Sequence, residues 1–189
     1  MKRIQYWLMC FITLLLCSCA NKPISPETWL TKGVKVNLPA PHFDQVYHDQ
    51  QLLTFSYNGQ QHSLITMIDA QNDALSVVGL STLGIRLFKI DYYGKVITTE
   101  QNIFIKELPS ASQILSDIMF SILPIEQWQP LLPKGWQLID TNEQRLLINE
   151  QQQTVIEIKY RQPPSSQIRK PTNIKHYIFG YQIAISSME

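Results

Sequence analysis

The stretch LTFSYNGQQHSLITMIDAQNDALSVVGL, residues 53–80, has the clearest pattern in this chain. Apolar residues alternate with Thr and Ser over residues 53–57, which is the period of a β-strand with one buried face. Asn58-Gly59 follows, and this pair favours a type I′ turn because both central residues of that turn need a positive φ. The stretch therefore predicts a β-hairpin whose second strand covers residues 62–69.

Turn signals recur about every ten residues on both sides of this hairpin, which is typical of an all-β barrel or sandwich. Eight further strands are predicted: 74–80, 85–91, 95–99, 136–140, 145–149, 154–161, 174–179 and 181–186. We therefore predict a mainly β (α+β) domain with about ten antiparallel strands.

A helical pattern interrupts the strands. Ser110 or Ser112 is suited to cap a helix that continues to Leu123, and Pro124 ends it. A second short helix is predicted over residues 125–132. Because both helices have little polar surface, we expect them to lie against the sheet as the cover of a possible cavity. The candidate cover residues are Ile114, Leu115, Ile118, Met119, Ile122 and Leu131.

The N-terminus has the pattern of an export leader. Lys2 and Arg3 precede an apolar run over residues 7–16, which is too short for a stable membrane-spanning helix. Leu16-Cys17-Ser18-Cys19 resembles a bacterial lipobox, which implies removal of residues 1–18 and lipidation of Cys19. Ala20 follows the cysteine, and by resemblance to the usual sorting rule this favours the outer membrane, facing the periplasm.

Residues 19–41 include Pro23, Pro26, Pro39 and Pro41 and are predicted to form an extended tether. Residues 42–189 are predicted to form the folded domain. Only 16% of the residues are charged, and Lys2 and Arg3 lie in the leader, so residues 19–189 carry one more acidic than basic side chain. This balance argues against a nucleic-acid-binding surface.

The domain has no pattern typical of a catalytic site or a cofactor site. Gly-x-Ser-x-Gly and phosphate-binding glycine loops are absent from the sequence, and the three cysteines lie within residues 10–19. His42 and His48, with Asp44 and Asp49, could in principle bind a metal, but they also suit a polar strand edge. We therefore expect no catalytic residue, no metal and no cofactor.

The order of motifs in residues 74–137 resembles an uncharacterised family of small bacterial lipoproteins, often encoded beside aryl-polyene and fatty-acid-like biosynthesis genes. The segments that carry the resemblance are Gly79-Leu80-Ser81, Gly84-Ile85-Arg86-Leu87-Phe88, Ile114-Leu115-Ser116-Asp117, Leu123-Pro124 and Leu132-Pro133-Lys134-Gly135-Trp136. Gly180-Tyr181, before the last predicted strand, also fits.

More distantly, the chain is similar to LolB, the outer-membrane receptor of lipoprotein sorting, and to its periplasmic partner LolA. This similarity implies an incomplete antiparallel barrel of about eleven strands, capped by helices over an apolar cavity. It also implies a membrane-insertion loop at Leu83-Gly84, together with Leu80. The alternative for Leu83 is a turn residue tucked under its own hairpin. Arg86 either points into the barrel or is solvated outside it.

Three functions remain open at this point. The first is a monomeric outer-membrane lipoprotein that binds or transfers a hydrophobic cargo, such as a lipid, an acyl chain or a lipoprotein, with a LolA-like carrier as a possible partner. The second is an interaction protein of an envelope biosynthesis complex, with a filled core. The third is an acyltransferase or hydrolase, which requires His62 or His176 beside an acid in a cleft.

Overall fold

The computed structural model describes residues 25–101, 109–161 and 169–188. Ten described strands form one sheet: β3 (Phe43–Tyr57), β4 (Gln60–Asn72), β5 (Ala74–Leu80), β6 (Arg86–Tyr93), β7 (Val96–Gln101), β8 (Gln137–Asp140), β9 (Gln144–Ile148), β10 (Thr154–Arg161), β11 (Lys170–His176) and β12 (Tyr181–Ser187). A hairpin of β1 (Glu27–Thr31) and β2 (Val34–Asn37) is separate from this sheet. Helix α1 (Ala111–Ile122), helix α2 (Ile125–Trp128) and a 3₁₀ turn (Gln129–Leu131) connect β7 to β8.

The sheet is antiparallel throughout and is not closed. Its strand order is β7-β6-β5-β4-β3-β12-β11-β10-β9-β8, so that β7 and β8 form the two edges. Two meanders, β3 to β7 and β8 to β12, are joined where the last strand pairs with β3. The predicted mainly β fold with an incomplete antiparallel barrel is therefore confirmed.

The hairpin that opens the main sheet forms as its sequence predicts. Tyr57 pairs with Gln60, and the two residues between them have positive φ, 49° at Asn58 and 74° at Gly59. Both central residues thus have the left-handed backbone that a type I′ turn needs. The strands on either side are longer than predicted, and β3 alone has 15 residues.

Helix α1 begins and ends where its sequence signals lie. The Ser110 side chain accepts a hydrogen bond from the Gln113 backbone N–H at 3.3 Å, which caps the helix. Leu123 leaves the helical conformation directly before Pro124, as expected for a residue that precedes proline. The helix contacts β1 and β11, and so it covers one face of the sheet.

The predicted tether is wrong for residues 27–37, which form the β1–β2 hairpin. Leu30, Val36 and Leu38 are buried in the core, because alternate residues of the hairpin are apolar and face the protein. The Thr28 hydroxyl also donates a hydrogen bond to the Gln113 side chain at 3.0 Å. This hairpin is therefore part of the folded domain.

The predicted leader, the lipidation site Cys19 and the first residues of the tether lie outside the described residues. Among the helices that are described, none has both the length and the apolar character needed to cross a bilayer.

Candidate functional site

A cavity of about 190 Å³ lies between α1 and the concave face of the sheet. It is partly open to solvent, and most of its lining is apolar. The sheet contributes side chains from β3, β4, β6, β11 and β12, among them Leu53, Leu64, Ile174 and Ile183. Helix and sheet together thus form a pocket of the apolar kind that binds hydrophobic molecules.

The candidate cover residues divide into three groups. Ile114, Ile118 and Ile122 are partly buried and line the cavity, because a spacing of four residues places them on one side of α1. Leu115 and Met119 are fully buried in the core. Leu131 lies in the 3₁₀ turn, is 37% exposed and is not part of the lining.

The Phe88 ring lines the cavity and packs over Gly79 on the neighbouring strand. Gly79 on β5 pairs with Phe88 on β6, and a Cβ atom at Gly79 would lie 2.2 Å from the Phe88 ring. Real Cβ contacts are never this short, so any other residue at position 79 would displace the ring. Gly79 therefore sets the position of an aromatic side chain in the cavity.

A buried polar cluster interrupts this apolar lining. The Tyr181 hydroxyl contacts both Asp117 carboxylate oxygens, at 2.9 and 2.8 Å, and the Gln113 amide donates to one of them at 3.3 Å. Burial raises the pKa of Asp117 to about 7, although the hydrogen bonds from Tyr181 and Gln113 lower it. Burial and the adjacent Asp117 raise the pKa of Tyr181 well above 10.

A second polar cluster lies beside the cavity on β3. The Tyr47 hydroxyl and the Gln51 amide, both of which line the cavity, donate hydrogen bonds to Asp49 at 2.9 and 2.6 Å. The Lys170 ammonium lies 3.2 Å from the other carboxylate oxygen of Asp49. The buried carboxylate of Asp49 therefore has a cation as its partner.

Three side chains bind the carbonyls near the C-terminal end of α1. Arg145 on β9 donates to the Phe120 and Leu123 carbonyls at 2.5 and 2.7 Å. Tyr160 donates to the Ser121 carbonyl at 2.9 Å, and the Trp128 indole donates to the Met119 carbonyl at 3.3 Å. A positive charge at this end also complements the helix dipole. These contacts hold α1 over the sheet.

Arg145 is also bonded to Asp140, at 2.8 Å. Burial raises the pKa of Asp140, but the hydrogen bonds from Arg145 and Arg169 outweigh this effect and hold the pKa below its usual value.

The loop between β5 and β6 exposes two apolar side chains. Leu83 is 86% exposed and Ile85 is 54% exposed, whereas Leu80, at the end of β5, is partly buried. The Ser81 hydroxyl accepts hydrogen bonds from the backbone N–H groups of Leu83 and Ile85, and Gly84 has a φ of +81°. Leu83 is therefore displayed to solvent, and the alternative of a leucine tucked under its hairpin is wrong.

Arg86 does not point into the barrel. Its side chain is 47% exposed and forms an ion pair with Glu100 on the neighbouring strand at 3.3 Å. The prediction of an inward polar residue is wrong, because an irregularity in the β5–β6 pairing breaks the alternation at this end of β6. Leu80 pairs with Arg86 while Gly79 pairs with Phe88, and Leu87 and Phe88 are both buried there.

Among the described residues, no histidine pairs with an acid inside a cleft. His42 and His48 pair with Asp73 and Asp69 at exposed sites, and His62 is exposed at the cavity. His176 is buried, with its ring stacked on Phe179, and burial lowers its pKa to about 4. In the same ranges, no group of His, Cys, Asp and Glu side chains is suited to bind a metal ion.

The sequence does not predict that Asp117, Gln113 and Tyr181 are neighbours. Asp117 and Gln113 are polar residues of α1, and both are buried. The composition of α1 could have indicated this burial. Asp117 is the one charged residue among the 12 residues of the helix, and a helix with so little charge has no side suited to solvent.

The fold and the cavity define a half-barrel protein with an apolar cavity under a helix. The chain belongs to the family described as "Protein of unknown function (DUF3261)", whose model matches residues 48–189. No curated protein matches the chain.

Proposed function

We propose that this protein is an outer-membrane lipoprotein, anchored through Cys19 and facing the periplasm, which binds an acyl chain or a similar hydrophobic cargo. The observation that carries the proposal is the cavity between α1 and the sheet. It is lined by aliphatic side chains from both sides and is open to solvent. Apolar shelter from water is the main requirement for carrying such a cargo.

The size of the cavity limits what it accepts. At about 190 Å³ it is slightly larger than an engineered cavity of about 150 Å³ that binds benzene. It therefore accommodates a short hydrocarbon segment, and the opening allows a longer chain to continue towards solvent.

The exposed loop supports contact with a membrane or with a carrier protein. Leu83 and Ile85 place two aliphatic side chains in water beside the β5–β6 turn, where burial in a bilayer would release free energy. This agrees with the loop function that the resemblance to LolB implies. Delivery from a LolA-like carrier to the membrane would use this surface and needs no nucleophile.

Filling the cavity tests the proposal. Residues 20–189, which retain every described strand and helix, would be secreted to the periplasm of a bacterial host, purified, and examined by native mass spectrometry for bound lipid. We expect the unmodified protein to carry lipid and Ile118→Trp to lose it, because the indole would occupy the cavity. Ile139→Trp is the matched control, since Ile139 is 42% exposed and lies outside the lining.

Two results would contradict this. Absence of bound lipid from the unmodified protein would favour the interaction protein of an envelope complex. Equal lipid loading of Ile118→Trp and Ile139→Trp would move the lipid site away from α1.

The loop has its own test. We expect Leu83→Ser to lower the binding of residues 20–189 to phosphatidylethanolamine–phosphatidylglycerol vesicles about five- to thirtyfold, because insertion of one leucine contributes on the order of 1–2 kcal/mol. Co-sedimentation with the vesicles measures this. Leu131→Ser is the control, because Leu131 is also exposed, and Leu83 and Leu131 are the two exposed leucines in the described ranges. If Leu83→Ser and Leu131→Ser lose vesicle binding equally, the β5–β6 loop has no special role in membrane contact.

A further inference from the structure

Asp117 is an acidic residue in the otherwise mostly apolar lining of the cavity. Asp117 is 4% exposed and lies on α1 beside Ile114 and Ile118, which line the same cavity. Tyr181 and Gln113 hold the carboxylate from two directions. Because a carboxylate offers about four acceptor positions, this arrangement leaves acceptor capacity for a group inside the cavity.

In the described part of the chain, Asp117 has no cation as a partner. The other buried carboxylate beside the cavity, Asp49, is paired with Lys170. The basic residue in the lining, His62, is exposed and forms no ion pair with Asp117. A buried charge without a counter-charge is costly, and a purely structural link between α1 and β12 would need only an amide at position 117.

We propose that Asp117 binds the polar end of the cargo, and that this end is a cationic hydrogen-bond donor, such as a primary ammonium group on an alkyl chain. This inference rests on the proposed function, since the chain has to occupy the cavity. The ammonium would provide the counter-charge that Asp117 lacks and would donate to its free acceptor positions. A chain that ends in a carboxylate would place two like charges together and bind weakly.

Three probes with the same ten-carbon chain separate the contribution of the head group from that of the tail. Decylamine, decan-1-ol and decanoate would be titrated into residues 20–189 at pH 8 by calorimetry, below their aggregation limits. We expect decylamine to bind at least tenfold more tightly than decanoate, with decan-1-ol between them. Asp117→Asn should reduce the ratio of amine to acid affinity to within threefold of one, whereas Asp69→Asn, at an exposed aspartate, should leave it unchanged.

Each outcome has a separate meaning. Equal affinity for the three probes in the unmodified protein would overturn the role of Asp117 while leaving the cavity as a lipid site. Tighter binding of decanoate would also overturn it and would indicate a cationic head-group site elsewhere. Binding of none of the three probes would overturn the proposed function and this inference with it. The comparison in the unmodified protein is decisive even if a variant fails to fold.

Discussion

Arg145→Met should lower the free energy of unfolding by about 3–5 kcal/mol, the usual cost of removing one partner from a buried ionic network. The Arg145 side chain is 5% exposed and donates to two carbonyls at the end of α1 and to Asp140. Methionine fills a similar volume but donates no hydrogen bond, so it leaves both carbonyls unsatisfied in the interior.

Urea unfolding, followed by circular dichroism, measures this loss. Arg86→Met is the matched control, because Arg86 is half exposed and its ion pair with Glu100 should contribute less than about 1 kcal/mol. The loss of unfolding free energy in Arg145→Lys should lie between those of the two methionine variants. Lysine keeps the charge, but it has no planar guanidinium group that could reach two carbonyls and a carboxylate together. A loss in Arg145→Met no larger than that in Arg86→Met would show that these hydrogen bonds do not hold α1.

Asp117→Asn should stabilise the protein at pH 8, by about 2–4 kcal/mol. The pKa of Asp117 rises from 3.8 to about 7 on folding, so ionisation opposes the folded state above pH 4 and most strongly above pH 7. The amide keeps an acceptor for Tyr181 and carries no charge. A gain of this kind is typical of residues retained for binding at the expense of stability.

The pH dependence of this variant provides a second measurement. Lowering the pH from about 7 to about 4 relieves the Asp117 penalty, so the folded protein gains stability from this group. His176 acts in the opposite direction, because its pKa falls from 6.5 to about 4 on folding and protonation then favours the unfolded chain. The two effects partly cancel in the unmodified protein.

We therefore expect Asp117→Asn to lose stability steadily as the pH falls from about 6.5 to about 4, where the unmodified protein changes less. Denaturation midpoints at several pH values would give this comparison. An unchanged or lower stability of Asp117→Asn at pH 8 would mean that the carboxylate is not destabilising where it lies.

Local patterns were sufficient to predict most of the sheet. The alternation before Asn58-Gly59, the cap at Ser110 and the stop before Pro124 all act within a few residues, and the structure has each of them. The error at residues 27–37 has the opposite cause. The prolines near this segment suggested an extended spacer, whereas alternate apolar residues within it were able to pair as a short hairpin on a core formed by distant parts of the chain.

The site was predictable only in part. The helical spacing predicted Ile114, Ile118 and Ile122 as cover residues, and these three line the cavity, but it did not separate them from Leu115 and Met119, which lie in the core. The pairing of Asp117 with Tyr181, 64 residues away, depends on how α1 crosses β12, and no local pattern encodes it. The same holds for Arg145 and the α1 carbonyls, since a strand residue contacts a helix end 22 to 25 residues earlier.

The pairing of β12 with β3 has a consequence for the order in which the sheet folds. The strands that follow β3 can pair one after another as the chain folds, and so can the strands from β8 onwards, because each contacts its neighbour in sequence. The two halves meet only when β12 docks on a strand more than 120 residues earlier. Until that late docking one side of the sheet is incomplete, so an incompletely folded chain exposes apolar surface that needs protection from aggregation.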